Sequence, residues 1–219
     1  MNRRYKRKRY KKGNINLKQV IYNHIEKNFR NYIIISLIFL IGVLIGVIYI
    51  NNISENQNNE INEYINLYIN DLKGDSINDQ ILLKTSLRKN LLLILALWFA
   101  GSTVIGISIV YLAILIRGFC LGYTISVFIH FLGTWKGTGF VMSAIVLQNI
   151  LFIPAIIIIG VSGMNLYNSI MKNRRKENIK VEILRHTFIL LLSQTLVISS
   201  SLIEVFISKN LLHIFIKYI

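Results

Sequence analysis

Apolar and polar positions alternate along this chain in long blocks rather than in short periods. Tyr32–Ile50 and Gly139–Met164 carry no full charge. Thr187–Ile207 carries only Glu204, and the block from 91 to 133 carries only Arg117. A helix needs about 20 apolar residues to cross a hydrocarbon core of roughly 30 Å. The block 91–133 is too long for one such helix and suits two. Arg117 lies directly before Gly118, so the expected turn falls there, between Leu91–Ile116 and Gly118–Gly133. The second of these halves covers only about 24 Å at 1.5 Å per residue. The predicted fold is therefore all-α: a polytopic membrane helix bundle with five transmembrane helices.

Between the spans the pattern changes period. Leu17, Val20, Ile21, Ile25 and Phe29 recur at helical spacing, which predicts an amphipathic helix on the membrane surface leading into the first span. In 51–90, Ile61, Ile65, Tyr68 and Leu72 share one helical face, and Ile77 and Ile81 share another. Gly74–Asp75 reads as the turn of a helical hairpin. Such a hairpin buries no core alone, so its apolar stripe is expected to pack on the bundle, with partner binding as the functional alternative. Gly133–Gly139 reads as a tight turn, because no Lys-Ser/Thr pair follows it for phosphate binding.

Composition agrees with this division and charge orients it. Of 219 residues, 53% are hydrophobic and 16% charged, with a mean hydropathy of +0.52. A soluble domain carries about 25% charged residues. The net charge of +15 is uneven. Arg3–Lys12 reads RRYKRKRYKK, and Lys172, Arg174, Arg175, Lys176, Lys180 and Arg185 crowd the segment 172–186. Glu55, Glu60, Glu63, Asp71, Asp75 and Asp79 crowd 51–83. Short basic segments stay in the cytoplasm. Five spans then place the N-terminus and the basic loop 172–186 inside, and the helical loop 51–90 and the C-terminus outside. Tyr32, Tyr111 and Tyr167 fall near the inner face, and Tyr49 and Trp135 near the outer. The chain divides into a cytoplasmic basic arm with its amphipathic helix, 1–31, and a five-span membrane domain, 32–219. The first span reads as a retained anchor rather than a cleaved signal. The arm suits anionic lipid, at about 1 kcal/mol per charge, rather than nucleic acid.

Candidate chemistry inside the spans is sparse. Gly42 and Gly46, like Gly118 and Gly122, place two glycines on one helix face, which permits close helix approach. Packing within the bundle is the expected use, and a homo-oligomer through the same faces the alternative. Gly101, Ser102 and Gly106 add small residues to the second span. Pro154 removes a backbone donor and should kink its helix. Gln148 and Asn149, one to two turns earlier, suit a bond between helices. Glu204 is the only acid in a span. With Arg117 at the inner end, the two would lie roughly 25 Å apart. Lys136, Lys209, Arg88 and Lys89 are then the expected partners of Glu204, in a structural or partner-facing role rather than proton coupling. His130 reads as a packed histidine. Cys120 is the only cysteine, which excludes an internal disulfide and a Cys-based metal site. The chain carries no zincin helix, nucleophile elbow or phosphate loop, so neither enzyme activity nor a cofactor is expected.

Four stretches resemble the stage II sporulation protein M family of spore-forming Firmicutes. They are Ser86-Leu-Arg-Lys-Asn-Leu, Ile116-Arg-Gly-Phe-Cys-Leu-Gly-Tyr-Thr, Gln148-Asn-Ile-Leu-Phe-Ile-Pro and Ser201-Leu-Ile-Glu-Val-Phe-Ile-Ser. The resemblance runs from about residue 17 to near the end. Leu147 stands where relatives often have proline, and the arm 1–12 lies outside the match. The resemblance implies a membrane scaffold of engulfment in the mother-cell septal membrane. It also implies two partners, stage II sporulation proteins D and P, which degrade peptidoglycan. The positions it carries over are Asn90, Arg117, Gly118, Gly122, Gln148, Asn149, Pro154 and Glu204, without individual roles. A transporter or channel subunit, drawing on Arg117, Glu204 and the segment 148–154, is the alternative function.

Overall fold

The computed structural model describes residues 17–74, 79–172 and 176–216, which are helical almost throughout, with no strand among them. The basic arm therefore lies outside the described residues. Eight α-helices follow in order: α1 Leu17–Asn51, α2 Glu55–Gly74, α3 Asp79–Gly101, α4 Gly106–Leu132, α5 Thr134–Val141, α6 Leu147–Lys172, α7 Lys176–Ile203 and α8 Lys209–Ile216. A π-helical turn, Met142–Val146, joins α5 to α6, and a second, Glu204–Ser208, joins α7 to α8.

Four helical stretches are long and apolar enough to cross a membrane: Ile25–Asn51, Gly106–Leu132, Thr134–Met171 and Ile179–Leu212. The expected second span, Leu91–Ile116, overlaps α3 only over 91–101, and Lys84, Arg88 and Lys89 in the first half of α3 keep it out of that set. Even so, α3 runs beside the others. Ser86 meets Glu204 near one end, and Gly101 meets Gly163 and His186 near the other. It is thus parallel to α6 and antiparallel to α7, and its 23 residues extend about 34 Å.

The turn expected at Arg117 does not exist. The chain turns at Ser102–Ile105, and α4 passes through Arg117 and Gly118 unbroken. Local chemistry explains the shift. The Thr103 hydroxyl accepts from the Gly106 amide at 3.0 Å, satisfying one of the bare donors at the start of α4. Ser102 donates to the Trp98 carbonyl at 2.9 Å. Any Cβ on Gly106 would overlap the Ala100 carbonyl, so only glycine closes this turn.

Gly118 serves packing instead. α1 and α4 run parallel, with Gly42 and Gly46 against the α4 backbone, and Gly118 and Gly122 against the backbone of Phe39 and Val43. Both glycine pairs are consumed in one internal contact, as expected. Ile35, Ile94, Ile114, Phe152, Ile156 and Val197 form the main core behind it. The lipid side stays apolar through exposed Leu37, Leu44, Phe99, Leu112 and Phe188.

The helix expected from Leu17 is present and runs unbroken into the first apolar stretch as the 35-residue α1. Three further expectations change. In the segment 51–90, α2 ends at Gly74, the second helix is not separate but the start of α3, and the turn expected at Gly74–Asp75 runs into 75–78, outside the described residues. In α2, Ile65 and Ile69 are buried with Val127, Phe128, Phe140 and Leu212, so its stripe does pack on the bundle. The turn expected over Gly133–Gly139 contracts to Gly133, whose φ of 78° suits glycine, and α5 begins at once. Most of the basic segment 172–186 is the first part of α7 rather than a loop.

An expected outcome separates these two geometries directly. In a Cys120→Ala background, a cysteine at 104 should react with an impermeant thiol reagent from one side of the membrane. A cysteine at 117 should react from neither. Free labelling at 117 would restore the hairpin there and overturn the observed turn.

Candidate functional site

Three of the residues singled out from sequence meet at one level of the bundle, near the end that carries α2. Glu204 opens the π-turn after α7, where the Lys209 amide reaches back five residues to the Glu204 carbonyl. A π-turn rotates side chains away from the ordinary helical positions and recurs at functional sites. The second π-turn, Met142–Val146, packs against the first and leads directly into Gln148.

The Glu204 carboxylate is half-buried and accepts from two elements. The Ser86 hydroxyl of α3 donates to its Oε2. The Gln148 amide of α6 donates to Oε1 at 3.2 Å and to Oε2 at 2.9 Å, in the orientation its acceptors require. Behind Ser86, the Asn90 amide donates to the Ser86 and Ser201 hydroxyls at 3.2 and 3.3 Å. Ser86 and Ser201 are themselves 2.9 Å apart and buried. Since Ser86 holds one proton, and Glu204 is the stronger acceptor, Ser201 donates to Ser86. The Ser200 hydroxyl donates to the Gln148 carbonyl at 2.7 Å. A donor chain thus runs from Asn90 through Ser86 to the carboxylate. It ties α3, α6 and α7 together where unpaired polar groups would be expensive.

Arg117 belongs to this neighbourhood, which corrects the expected 25 Å separation. It lies mid-way along α4, about 16 Å from Gly106 along the axis. Its guanidinium sits 4.4 Å from the Phe152 ring centre, a cation–π contact that covers the charge while leaving its fork of donors free. Phe152 lies one helical turn after Gln148 on α6, which puts the guanidinium on the side of the bundle that holds Glu204. No N–O contact within 4.0 Å joins the two, so they are charge neighbours rather than an ion pair. The expected basic partners of Glu204 are not used: Lys209 pairs with Asp79.

The other predicted positions serve elsewhere. Gly118 and Gly122 form the α1–α4 contact described above. Asn149 is buried, and its amide donates to the Ile145 carbonyl at 2.8 Å, within its own helix. Pro154 lies inside α6, which continues through it. With Asn149, Leu121 and Ile150, it lines a cleft of about 290 Å³ between α4 and α6. His130 is exposed, edge-on to Phe131, and is not packed in a core.

Sequence reasoning missed a second buried polar site. His186, only 1% exposed, stacks on Trp98 with ring centres 6.3 Å apart. Its Nδ1 lies 2.8 Å from the Ser162 hydroxyl, and its Nε2 lies 3.1 Å from the Trp98 carbonyl. The carbonyl can only accept, so Nε2 carries the proton and the ring is satisfied while neutral. Gly101 makes room for the ring, and Gly163 lets the backbone of α6 approach Gly101. A lone histidine beside a basic segment gives no sign of this in sequence. Among the described residues, no three His, Cys, Asp or Glu side chains converge on a metal position.

Near the carboxylate, α2 and α4 enclose a cavity of about 440 Å³ lined by Tyr64, Tyr68, Tyr123 and Phe128, with Glu60 among its lining residues. Burial pushes the Tyr68 phenol above its ordinary range, with smaller contributions from Tyr64 and Glu204. The phenol is therefore neutral at pH 7.

Together these features define a class: an all-helical, multi-helix membrane protein with an intramembrane carboxylate, Glu204, held between helices. Residues 35–209 match the model of the stage II sporulation protein M family, and the chain belongs to that family. It is accordingly a membrane protein of sporulation. Neither a curated protein nor a solved structure matches it.

Proposed function

We propose that the chain is a non-enzymatic scaffold of engulfment, holding the peptidoglycan-degrading stage II sporulation proteins D and P at the septal membrane of the mother cell. Family membership over residues 35–209 carries this reading. In it, α3 is the fifth crossing, α1 and α7 start in the cytoplasm, and α2 and α8 lie outside. Three observations support that orientation. The basic start of α7, 176–186, and the turn 102–105 fall at one end of the bundle. Acidic α2 falls at the other, beside α8. The length of α3 suits a crossing even though its first half is charged.

The network around Glu204 fits a structural role, since each polar group in it is fixed to another helix. In sporulating cells lacking this chain, proteins D and P should disperse from the septum and cease to co-purify with each other. Normal localisation and co-purification would sink the scaffold reading. The half-buried carboxylate between two π-turns favours a second reading, a transporter or channel subunit. An ion or solute flux in proteoliposomes that Glu204→Gln abolishes would put that reading first.

A further inference from the structure

The cavity between α2 and α4 has a chemistry that the scaffold role does not specify. Its walls are the rings of Tyr64, Tyr68, Tyr123 and Phe128 together with Ile61, Ile65 and Val127. Tyr64 is 68% exposed and Tyr68 38% exposed, so these two rings open outward over a floor of buried Ile65, Val127 and Phe128. The rings continue as a ladder, with Tyr123 near Tyr49 and Phe119, and Tyr68 near Phe128. The phenol hydroxyls of Tyr64, Tyr68 and Tyr123 have no hydrogen-bond partner among the described residues.

The charge around the cavity has one sign. Glu60 lines it, and Glu55 and Glu63 lie exposed on the same helix. None of Glu55, Glu60 and Glu63 forms an ion pair among the described residues. No Lys, Arg or His lines the cavity, although the whole chain carries +15. Aromatic faces are electron-rich and attract a cation placed over them, more strongly where water is partly excluded. Uncompensated carboxylates repel an anion and steer a cation toward the same place.

We propose that this groove is a docking site for a basic side chain, lysine or arginine, presented by a partner polypeptide. The cation sits over Tyr64 and Tyr68, Glu60 supplies the countercharge, and the apolar floor takes the stem of the side chain. A lysine or arginine stem lies along apolar surface with its charge at the polar edge, which matches the order of groups here. The proposal deepens the scaffold reading and rests on it for the existence of a protein partner.

The test uses the full chain in phosphatidylcholine nanodiscs, which remove attraction to anionic lipid. The probe is a fluorescently labelled peptide of sequence Lys-Ala-Lys-Leu-Lys-Ala-Lys, with its all-glutamine counterpart as the neutral control. Saturable binding of the basic peptide is expected, with none of the neutral one. Tyr64→Ala and Glu60→Gln each change an exposed side chain and should keep the fold, yet each should weaken binding by roughly fivefold. Loss of binding in these variants stands whether or not proteins D and P depend on the chain, so the two readings fail separately. Equal binding by the doubly substituted chain, equal binding of the neutral peptide, or preferential binding of soluble chitotetraose would each overturn the proposal.

Discussion

Gly122→Leu prevents the chain from folding into a monodisperse species in mild detergent. A side chain at 122 has nowhere to go, because its first carbon already overlaps the backbone of Val43. Overpacking a flexible core costs about 1–3 kcal/mol. Here the obstacle is backbone on an opposing helix, so the loss should reach at least about 3 kcal/mol. Gly42, Gly46 and Gly118 face the same restriction, and leucine at any of them should act alike. Cys120, exposed on the same helix, is the control: Cys120→Leu should leave the unfolding midpoint nearly unchanged. If Gly122→Leu unfolds at the midpoint of the parent chain, α1 and α4 do not pack as described.

The second large effect falls on Glu204. Replacing it with leucine strips Ser86 and Gln148 of their acceptor and leaves Arg117 without its opposing charge. Breaking a buried charge arrangement by removing one member costs about 3–5 kcal/mol. The carboxylate is half-buried, so the lower end, about 3 kcal/mol, is expected. Adding Arg117→Met to Glu204→Leu should recover part of the loss, with a coupling of about 1 kcal/mol. Denaturation of the four chains in dodecylmaltoside measures it. Strict additivity would show that Arg117 and Glu204 do not act on each other.

The Arg117–Glu204 relation also shows where sequence reasoning stops. The apolar character of the blocks, the clustering of like charges and the pairing of glycines on one helix face are local in the chain and legible in it. The turn is not legible in the same way, because Arg117-Gly118 has two meanings. A charge followed by glycine can end a helix, or it can sit inside one where the charge is covered and the glycine admits a neighbour. Hydropathy cannot tell the two apart, since the cover is the ring of Phe152 and the neighbour is the backbone of α1. Moving the turn to 102–105 lifts Arg117 by about 16 Å along α4, which removes most of the expected 25 Å gap. A signal for the true turn was present: Gly101 and Gly106 bracket Ser102 and Thr103, a pair that can cap both helix ends.

The candidate site was legible in parts. Gln148, Asn90 and Glu204 stand out as polar residues in or beside apolar runs. Ser86 and Ser201 do not, because a serine in a membrane helix commonly bonds its own backbone, as Thr124 and Ser199 do here. Only the crossing of α3 and α7 distinguishes the two kinds.

Sequence by itself determined that this chain is a helical membrane protein, which helix faces approach closely, and where its charge of each sign collects. Those properties follow from the hydrophobic effect and from side-chain size, which act residue by residue. Tertiary structure decided which helices are neighbours, at what depth Arg117 lies, and which donors hold Glu204. These depend on distances between residues far apart in the chain, such as 117 and 152 or 86 and 201, and no local pattern encodes them.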